Sequence, residues 1–434
     1  MAAKTRNRTS GLAALALLVL ASPAAAQERS VTLNQAIDMA LVAQPAMVQA
    51  RGQVASASAS RLQSYGNWLP SLSLGSGYSE SSVTRFDQAT QRTVEGSATS
   101  YSTNLNASMV LFDGLSRVYD GRAAGADANA ADASLVNSRF QTVLQTKQAF
   151  FNALAAEELM RVSETRIERA REQLNVSREK LINGTATRSD TLRSSVELGN
   201  ARLQKLNAET QLAIAGANLA RLIGVEGSVK AVREDRLLTI IQVDTATLRQ
   251  EALAESPAIF QADAQAKAAE AQFASTFSQY LPSLTASYSR SWAGAEVSQL
   301  DDSWSVRLNV SWPLFNGFTR ELNRTRSAVS RNNARAQAED THRQVNAQLT
   351  QHLASLASAQ TRLEIAQSSK AASEEDLRVQ QERYRLGAAT IVDVLASQVN
   401  LDQAEVDIVQ ARFDYFVARA QIEALVGREL EPTS

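Results

Sequence analysis

The chain of 434 residues contains no cysteine, only two histidines and only seven prolines. Without a thiol there is no disulfide framework, no thiolate metal site and no thiol nucleophile. His342 and His352 stand ten residues apart on one predicted helix. Metal-binding pairs on a helix usually sit four apart, so neither a metal centre nor a cofactor is expected. Gly-rich phosphate loops and nucleophile elbows do not occur either, and nothing in the sequence points to an enzyme. The formal charge of −1 gives no electrostatic footprint for nucleic acid. After the first 26 residues no stretch approaches 18 consecutive apolar residues, so no transmembrane helix is expected. A membrane could be entered only through β-strands, because helices and closed barrels alone satisfy their backbone in lipid.

What is present begins with a targeting pattern. Lys4, Arg6 and Arg8 precede a short apolar core from Gly11 to Leu20, and Ala24-Ala25-Ala26 offers the small residues of a cleavage site. Residues 1–26 are therefore expected to be a signal peptide, with the mature chain starting near Gln27.

The remainder reads as two copies of one plan. Trp68-Leu69-Pro70-Ser71-Leu72 reappears as Tyr280-Leu281-Pro282-Ser283-Leu284, an offset of 212. Leu111-Phe112-Asp113-Gly114 reappears as Leu314-Phe315-Asn316-Gly317, an offset of 203 that also relates Gly184 to Gly387, Thr187 to Thr390 and Asp190 to Asp393. The nine-residue difference falls between Leu72 and Leu111, where a hairpin loop is expected to absorb it. The first copy is placed at 27–224 and the second at 248–430, joined by a linker, 225–247, that shows no assignable pattern.

Prolines are absent between Pro70 and Pro257 and between Pro313 and Pro432, leaving Gly114 to Lys180 and Phe318 to Arg385 free to be single long helices rich in good helix formers. A heptad runs through Leu349, Leu356, Leu363, Lys370, Leu377 and Tyr384, matched in the first copy by Met160, Ile167, Leu174 and Leu181. Such spacing keeps one stripe against a partner helix. Each copy is thus expected to hold a helical hairpin, at about 115–224 and 318–427.

Between the helices the period switches to two. Trp304, Val306, Leu308, Val310, Trp312 and Leu314 alternate with polar residues, and Tyr101 to Leu111 does the same. Leu72, Leu74 and Tyr78, then Leu284 to Trp292, supply the returning partners. Two hairpins follow, about 69–112 and 282–315, with strands of roughly ten to twelve residues that suit a tilted membrane strand. Trp68, Trp292, Trp304 and Trp312, all the tryptophans of the chain, lie in or beside them. Aromatic rings gather where a barrel meets lipid headgroups. Four strands cannot close a membrane barrel, for which about eight is the minimum, so several copies must contribute. A periplasmic coiled-coil scaffold or tether would account for export and helices, yet it leaves the hairpins unexplained.

The helical hairpins turn at Leu181-Ile182-Asn183-Gly184-Thr185-Ala186-Thr187 and Tyr384-Arg385-Leu386-Gly387-Ala388-Ala389-Thr390. Gly permits the positive φ that ends a helix, Thr three residues later can cap the returning helix, and Asp190 or Asp393 favours its first turn. Their matching places in a repeat speak against an acid–base pair.

These paired tips, the Leu-Phe-Asp/Asn-Gly signatures, the repeat and the signal peptide resemble the TolC-type outer membrane efflux family over essentially the whole mature chain. The resemblance implies a mainly α chain carrying membrane β-hairpins: a long coiled-coil helical barrel plus four strands per chain in a shared 12-stranded barrel. It implies a homotrimer in the outer-membrane lipid, meeting a periplasmic adaptor protein and, through it, an inner-membrane pump or ABC-type transporter. Such a duct serves efflux or type I secretion. Gly184, Thr187, Gly387 and Thr390 match the family's adaptor-facing tips. Asp190 and Tyr384 match a carboxylate–phenol pair of the closed periplasmic gate, and Asp393 an acid at its narrowed entrance. Ala389 stands where a basic residue joins that network, and Ala396 where a second entrance acid stands. The resemblance therefore implies a gate with fewer polar links and a weaker cation-binding ring.

Overall fold

The structure, a computed structural model, describes residues 29–89, 91–234 and 245–430. The expected signal peptide, 1–26, and the linker stretch from Leu237 to Val243 lie outside the described residues. In chain order the elements are β1 (Arg29–Val31), α1 (Leu33–Ala43), α2 (Pro45–Gly66), β2 (Ser71–Asp87), β3 (Arg92–Phe112), α3 (Ser116–Ile182) and α4 (Arg188–Ile223). There follow β4 (Val229–Ala231), α5 (Thr245–Glu255), α6 (Pro257–Ser275), a 3-10 turn (Thr276–Tyr280), β5 (Ser283–Glu296), β6 (Gln299–Ser311), α7 (Thr319–Arg385) and α8 (Ile391–Val426).

The proline-free stretches are the two longest helices, α3 and α7, each of 67 residues and about 100 Å long at helical rise. Their bounds and those of α4 and α8 all stand 203 apart: Ser116 and Thr319, Ile182 and Arg385, Arg188 and Ile391, Ile223 and Val426. Both α2 and α6 open on proline, whose fixed φ and missing N–H fit the first helical position. Within each copy two shorter helices lie along one long helix: α2 and α4 on α3, α6 and α8 on α7. Across the copies, α3 also packs on α6 and α8.

The heptad of α7 is the buried stripe: Leu349, Leu356, Leu363, Leu377 and Tyr384 are all inside. Its counterpart in α3 is less complete. Leu174 is buried but Met160 and Ile167 are half-buried and Leu181 is exposed. There the core face is carried instead by Thr146, Phe150, Ala153, Ala170, Gln173 and Ser177, because α3 must meet helices of both copies.

The strands form one antiparallel sheet in the order β2-β3-β5-β6. They are longer than expected, with 17, 21, 14 and 13 residues, because pairing continues beyond the apolar segments through Ser, Thr and Glu. The nine additional residues of the first copy sit inside its hairpin, between the pairs Ser71–Ser108 and, in the second copy, Ser283–Ser311. They do not make a long loop. Most of them extend the strands, and pairing runs out to Asp87–Arg92. At the other end β6 stops at Ser311, since Pro313 has no N–H to give a ladder. Trp312 and Leu314 thus lie past the strand on which their alternation had placed them.

The main core sits halfway along the helices. Phe150 and Phe151 of α3 meet Phe413, Tyr415 and Phe416 of α8, with Phe151 and Phe416 centroids 5.5 Å apart. Val31 of β1, Leu33 of α1, Val229 of β4 and Leu248 of α5 close around them. β1 pairs in parallel with β4, so the patternless linker contributes a strand to this waist.

Candidate functional site

Two regions carry the residues singled out by sequence, the tips of the helical hairpins and the sheet.

At the tips, Gly184 and Gly387 both adopt left-handed φ, +71° and +81°. Thr185 N donates to Lys180 O at 2.8 Å and Ala388 N to Arg383 O at 2.7 Å, so each helix ends by wrapping its last carbonyls. Thr187 and Thr390 are the N-caps of α4 and α8, and each forms a full capping box with the acid three residues on. Asp190 accepts from Thr187 N at 3.1 Å and from Thr187 Oγ1 at 3.0 Å. Asp393 accepts from Thr390 N and Oγ1, both at 2.8 Å. The Thr390 backbone and hydroxyl bonds hold the exposed Asp393 carboxyl below its ordinary range, with Arg383 adding to the effect. It is ionised at neutral pH.

Tyr384 is buried among Leu377, Ile391, Val394 and Leu401. Its hydroxyl is enclosed without a hydrogen-bond partner among the described residues. Ser177 Oγ is near enough to affect it but is bonded to Ser194 Oγ at 2.9 Å. Burial pushes the phenol upward; Ser177 opposes this and the nearby Asp190 adds to the rise. Asp190 and Tyr384 are thus brought into one neighbourhood, but both Asp190 oxygens are spent on its own capping box. The implied carboxylate–phenol bond is not made within this chain.

Other groups link the tips, and the motif reading passed over them. Lys180 Nζ donates to Tyr384 O at 2.6 Å and to Arg385 O at 3.1 Å, and lies 4.8 Å from the Tyr384 ring centroid. Higher up, Arg169 bonds Asp402 at 2.7 Å and Glu405 at 2.6 Å, while Arg166 bonds Glu197 at 2.8 Å. Asp402 is deeply buried. Burial raises its carboxyl above the ordinary range, and Arg166 and Arg169 counteract part of the rise. A periodic signal was available: Lys147, Glu158, Arg169 and Lys180 follow one another at intervals of 11 residues.

In the sheet, register puts Leu72, Leu74 and Tyr78 of β2, Leu105 and Ala107 of β3, Ala286 and Tyr288 of β5, and Val306, Leu308 and Val310 of β6 on one face. The other face is Ser, Asn, Thr and Gly almost throughout. On the edge strands the apolar face is open: Leu72, Leu74, Val306, Leu308 and Val310 are all exposed. Aromatic rings bound it at two levels. Trp68 and Trp312 stand at the helical end, Trp68 beneath the Arg117 guanidinium at 4.4 Å and Trp312 Nε1 donating to Tyr280 O at 3.2 Å. Trp292 stands farther out, opposite Thr103 and two residues along from Tyr101, whose ring centroid is 5.2 Å from that of Tyr78, and Trp304 faces Arg290 across the β5–β6 pair. Arg290 binds Asp302 at 2.8 and 3.0 Å beside Trp292. From Trp304 to Trp312 is about 26 Å along an extended chain, which at the usual tilt of about 40° rises about 20 Å, within the ~25 Å apolar band of membrane barrels.

Among the described residues no group of three His, Asp or Glu side chains is arranged to hold a metal ion. His342 Nε2 meets Asp263 at 3.2 Å. His352 is half-buried on the seam.

The architecture has relatives. VceC, an outer membrane protein of Vibrio cholerae, superposes with a TM-score of 0.77 over 92% of this chain and 97% of its own, at 19% identity. The Campylobacter jejuni CmeC outer membrane channel gives 0.79 over 91% and 85%, at 18% identity. In sequence, Protein CyaE of Bordetella pertussis is 27% identical over 340 residues, 75% of this chain and 69% of its own length. Outer membrane protein TolC of Escherichia coli is 23% identical over 377 residues, 83% and 74% respectively. The profile of the family described as "Outer membrane efflux protein" matches twice, at residues 36–225 and 248–428, and the chain belongs to that family.

Proposed function

We propose that this protein is the outer-membrane exit duct of an efflux or type I secretion system, working as a homotrimer. The carrying observation is a four-stranded sheet with an exposed apolar face and two free edges, β2 and β6. Unpaired edges of this length invite another copy, and three chains supply twelve strands, an accepted size for a closed barrel.

The repeat supports a ring. Inside one chain a Cβ on Gly114 would meet Leu281 Cβ at 2.6 Å and Ser278 O at 2.8 Å, so this glycine seats the second copy against the first. Gly317 has the same left-handed φ, +65°, but nothing within 4 Å. The residue equivalent to Leu281 is Leu69, which is 70% exposed. Passing the contact from copy to copy would seat Leu69 of the next chain on Gly317, and would pair β6 with its β2. Such a head-to-tail interface makes a ring when the rotation closes.

The helical hairpins would then line a periplasmic tunnel. Its tips, with Ile182 and Leu386 exposed beside Gly184 and Gly387, would meet a periplasmic adaptor that couples the duct to an inner-membrane pump or ABC-type transporter. Asp393 would ring the entrance, and Asp190 and Tyr384 would flank the gate. With alanine at 389 and 396, block by multivalent cations should be weak; strong block in single-channel recordings would refute that part.

The decisive experiment is the detergent-corrected mass of the protein extracted from outer membranes. Three chains per particle is the expected result, and Gly317→Leu should reduce it to smaller species. A monomer released without detergent would overturn the duct and favour a periplasmic tether.

A further inference from the structure

We infer that Lys180 is the latch of the gate, holding the C-terminal end of α7 by its last carbonyls and so fastening the second tip to the first. The inference rests on the reading of the tips as the closure of the duct.

The last carbonyls of a helix lack intrahelical partners and carry the negative end of its dipole. Lys180 Nζ reaches two carbonyls of this last turn from a helix of the other copy: Tyr384 O at 2.6 Å, which also accepts the turn bond from Gly387 N at 3.1 Å, and Arg385 O at 3.1 Å. Its ammonium also lies 4.8 Å from the Tyr384 ring centroid, within cation–π range. Capping of this kind is not simply what the position does. At the corresponding place in α7, Arg383 bonds Ala388 O of its own turn at 3.2 Å. The basic link that Ala389 does not supply is provided here from the other hairpin.

Lys180 is also the last rung of a ladder. Lys147, Glu158, Arg169 and Lys180 are 11 residues apart, three helical turns, so they share one stripe of α3. The first three meet charged side chains of α8: Lys147 to Glu423 at 2.7 Å, Glu158 to Arg412 at 3.0 Å, and Arg169 to Asp402 at 2.7 Å. Separating any of these would take a partner from a largely buried ion, which is unfavourable even where a second one remains, as Glu429 does for Lys147 and Arg233 for Glu158. Lys180 differs. Its partners are neutral carbonyls, and its bond to Arg385 O is at the solvent edge. When it lets go, water can take the ammonium and Arg385 O, while Tyr384 O keeps its bond from Gly387 N. The ladder is therefore built to open at this rung while the three above it stay shut.

The test uses the assembled protein in planar bilayers. Lys180→Met keeps the stem and removes the donors; it should raise the time-averaged conductance several-fold at unchanged thermal stability and particle mass. Lys180→Arg should restore the native level. A correctly assembled Lys180→Met channel with native conductance overturns the latch, and if that variant does not assemble, Lys180→Gln is read by the same criterion. A second measurement isolates the underlying reading: bulky thiol reagents applied to Asp393→Cys should block the current. Block together with an unaltered Lys180→Met channel refutes the latch alone. A current indifferent to modification at 393 removes the gate, and the latch with it.

Discussion

The waist and the tips are built on the same helices, yet they are held in different ways. At the waist, five aromatic rings from α3 and α8 pack together, and four short elements from both copies wrap around them. At the tips, one small cluster gathers on Tyr384 and another on Ala170, Leu174, Leu198 and Ala201. Small residues bring helices close but remove little apolar area from water, and burial scales with that area. Directional polar contacts do the rest, through Lys180, the capping boxes and the Ser177–Ser194 bond. The difference teaches where motion is affordable: local stability is uneven, and moving parts are drawn from its low end.

The strongest way to break the contrast is at the waist. Phe416→Ala removes a ring packed against Phe151, Phe413 and Tyr415 and should cost about 3–5 kcal/mol, read as a large fall in melting temperature in detergent. A negligible fall would show that the waist is not the anchor. A smaller effect is expected at the tip, where Thr390→Ala removes the α8 cap and should cost about 1 kcal/mol. It should speed hydrogen exchange in the first turn of α8 and barely move the global melting temperature; a global collapse would mean that tip and waist unfold as one unit.

The smallest effect is a pH dependence on the α7 seam. Burial lowers the pKa of His352 below its ordinary 6.5, with nearby Gln421 pulling it partly back. As pH falls through 6.5 toward the folded value, the unfolded chain takes up a proton that the folded chain refuses, so stability declines across that window. Melting measured from about pH 7.5 to about pH 5.5 should show this decline, and His352→Gln should flatten it.

The parts of this molecule governed by local rules were legible in its sequence. Proline spacing and the 203-residue offset mark both long helices, and period-two alternation marks the sheet. The capping boxes could be read from Thr187-Arg188-Ser189-Asp190 and Thr390-Ile391-Val392-Asp393 because a cap involves only neighbours in the chain. What escaped depends on distant partners. Lys147 and Glu423 are 276 residues apart and Arg169 and Asp402 are 233 apart, and neither residue of a pair announces the other. The short strands β1 and β4 have too few residues to show a period. Tyr384 is instructive in another way. Its heptad position foretold burial, but that its enclosed hydroxyl has no partner among the described residues, while both Asp190 oxygens accept from Thr187, shows only in the packing.

The unequal hairpins would have a consequence at the mouth of the proposed duct. β2 outruns β5 by three residues, about 10 Å of extended strand. In a ring of three, tall and short turns would alternate around the mouth. An internal symmetry close to sixfold along the tunnel would end in a crown with three merlons. A ligand that grips this rim from the medium, such as an antibody or a phage fibre, would therefore find three equivalent footholds rather than six.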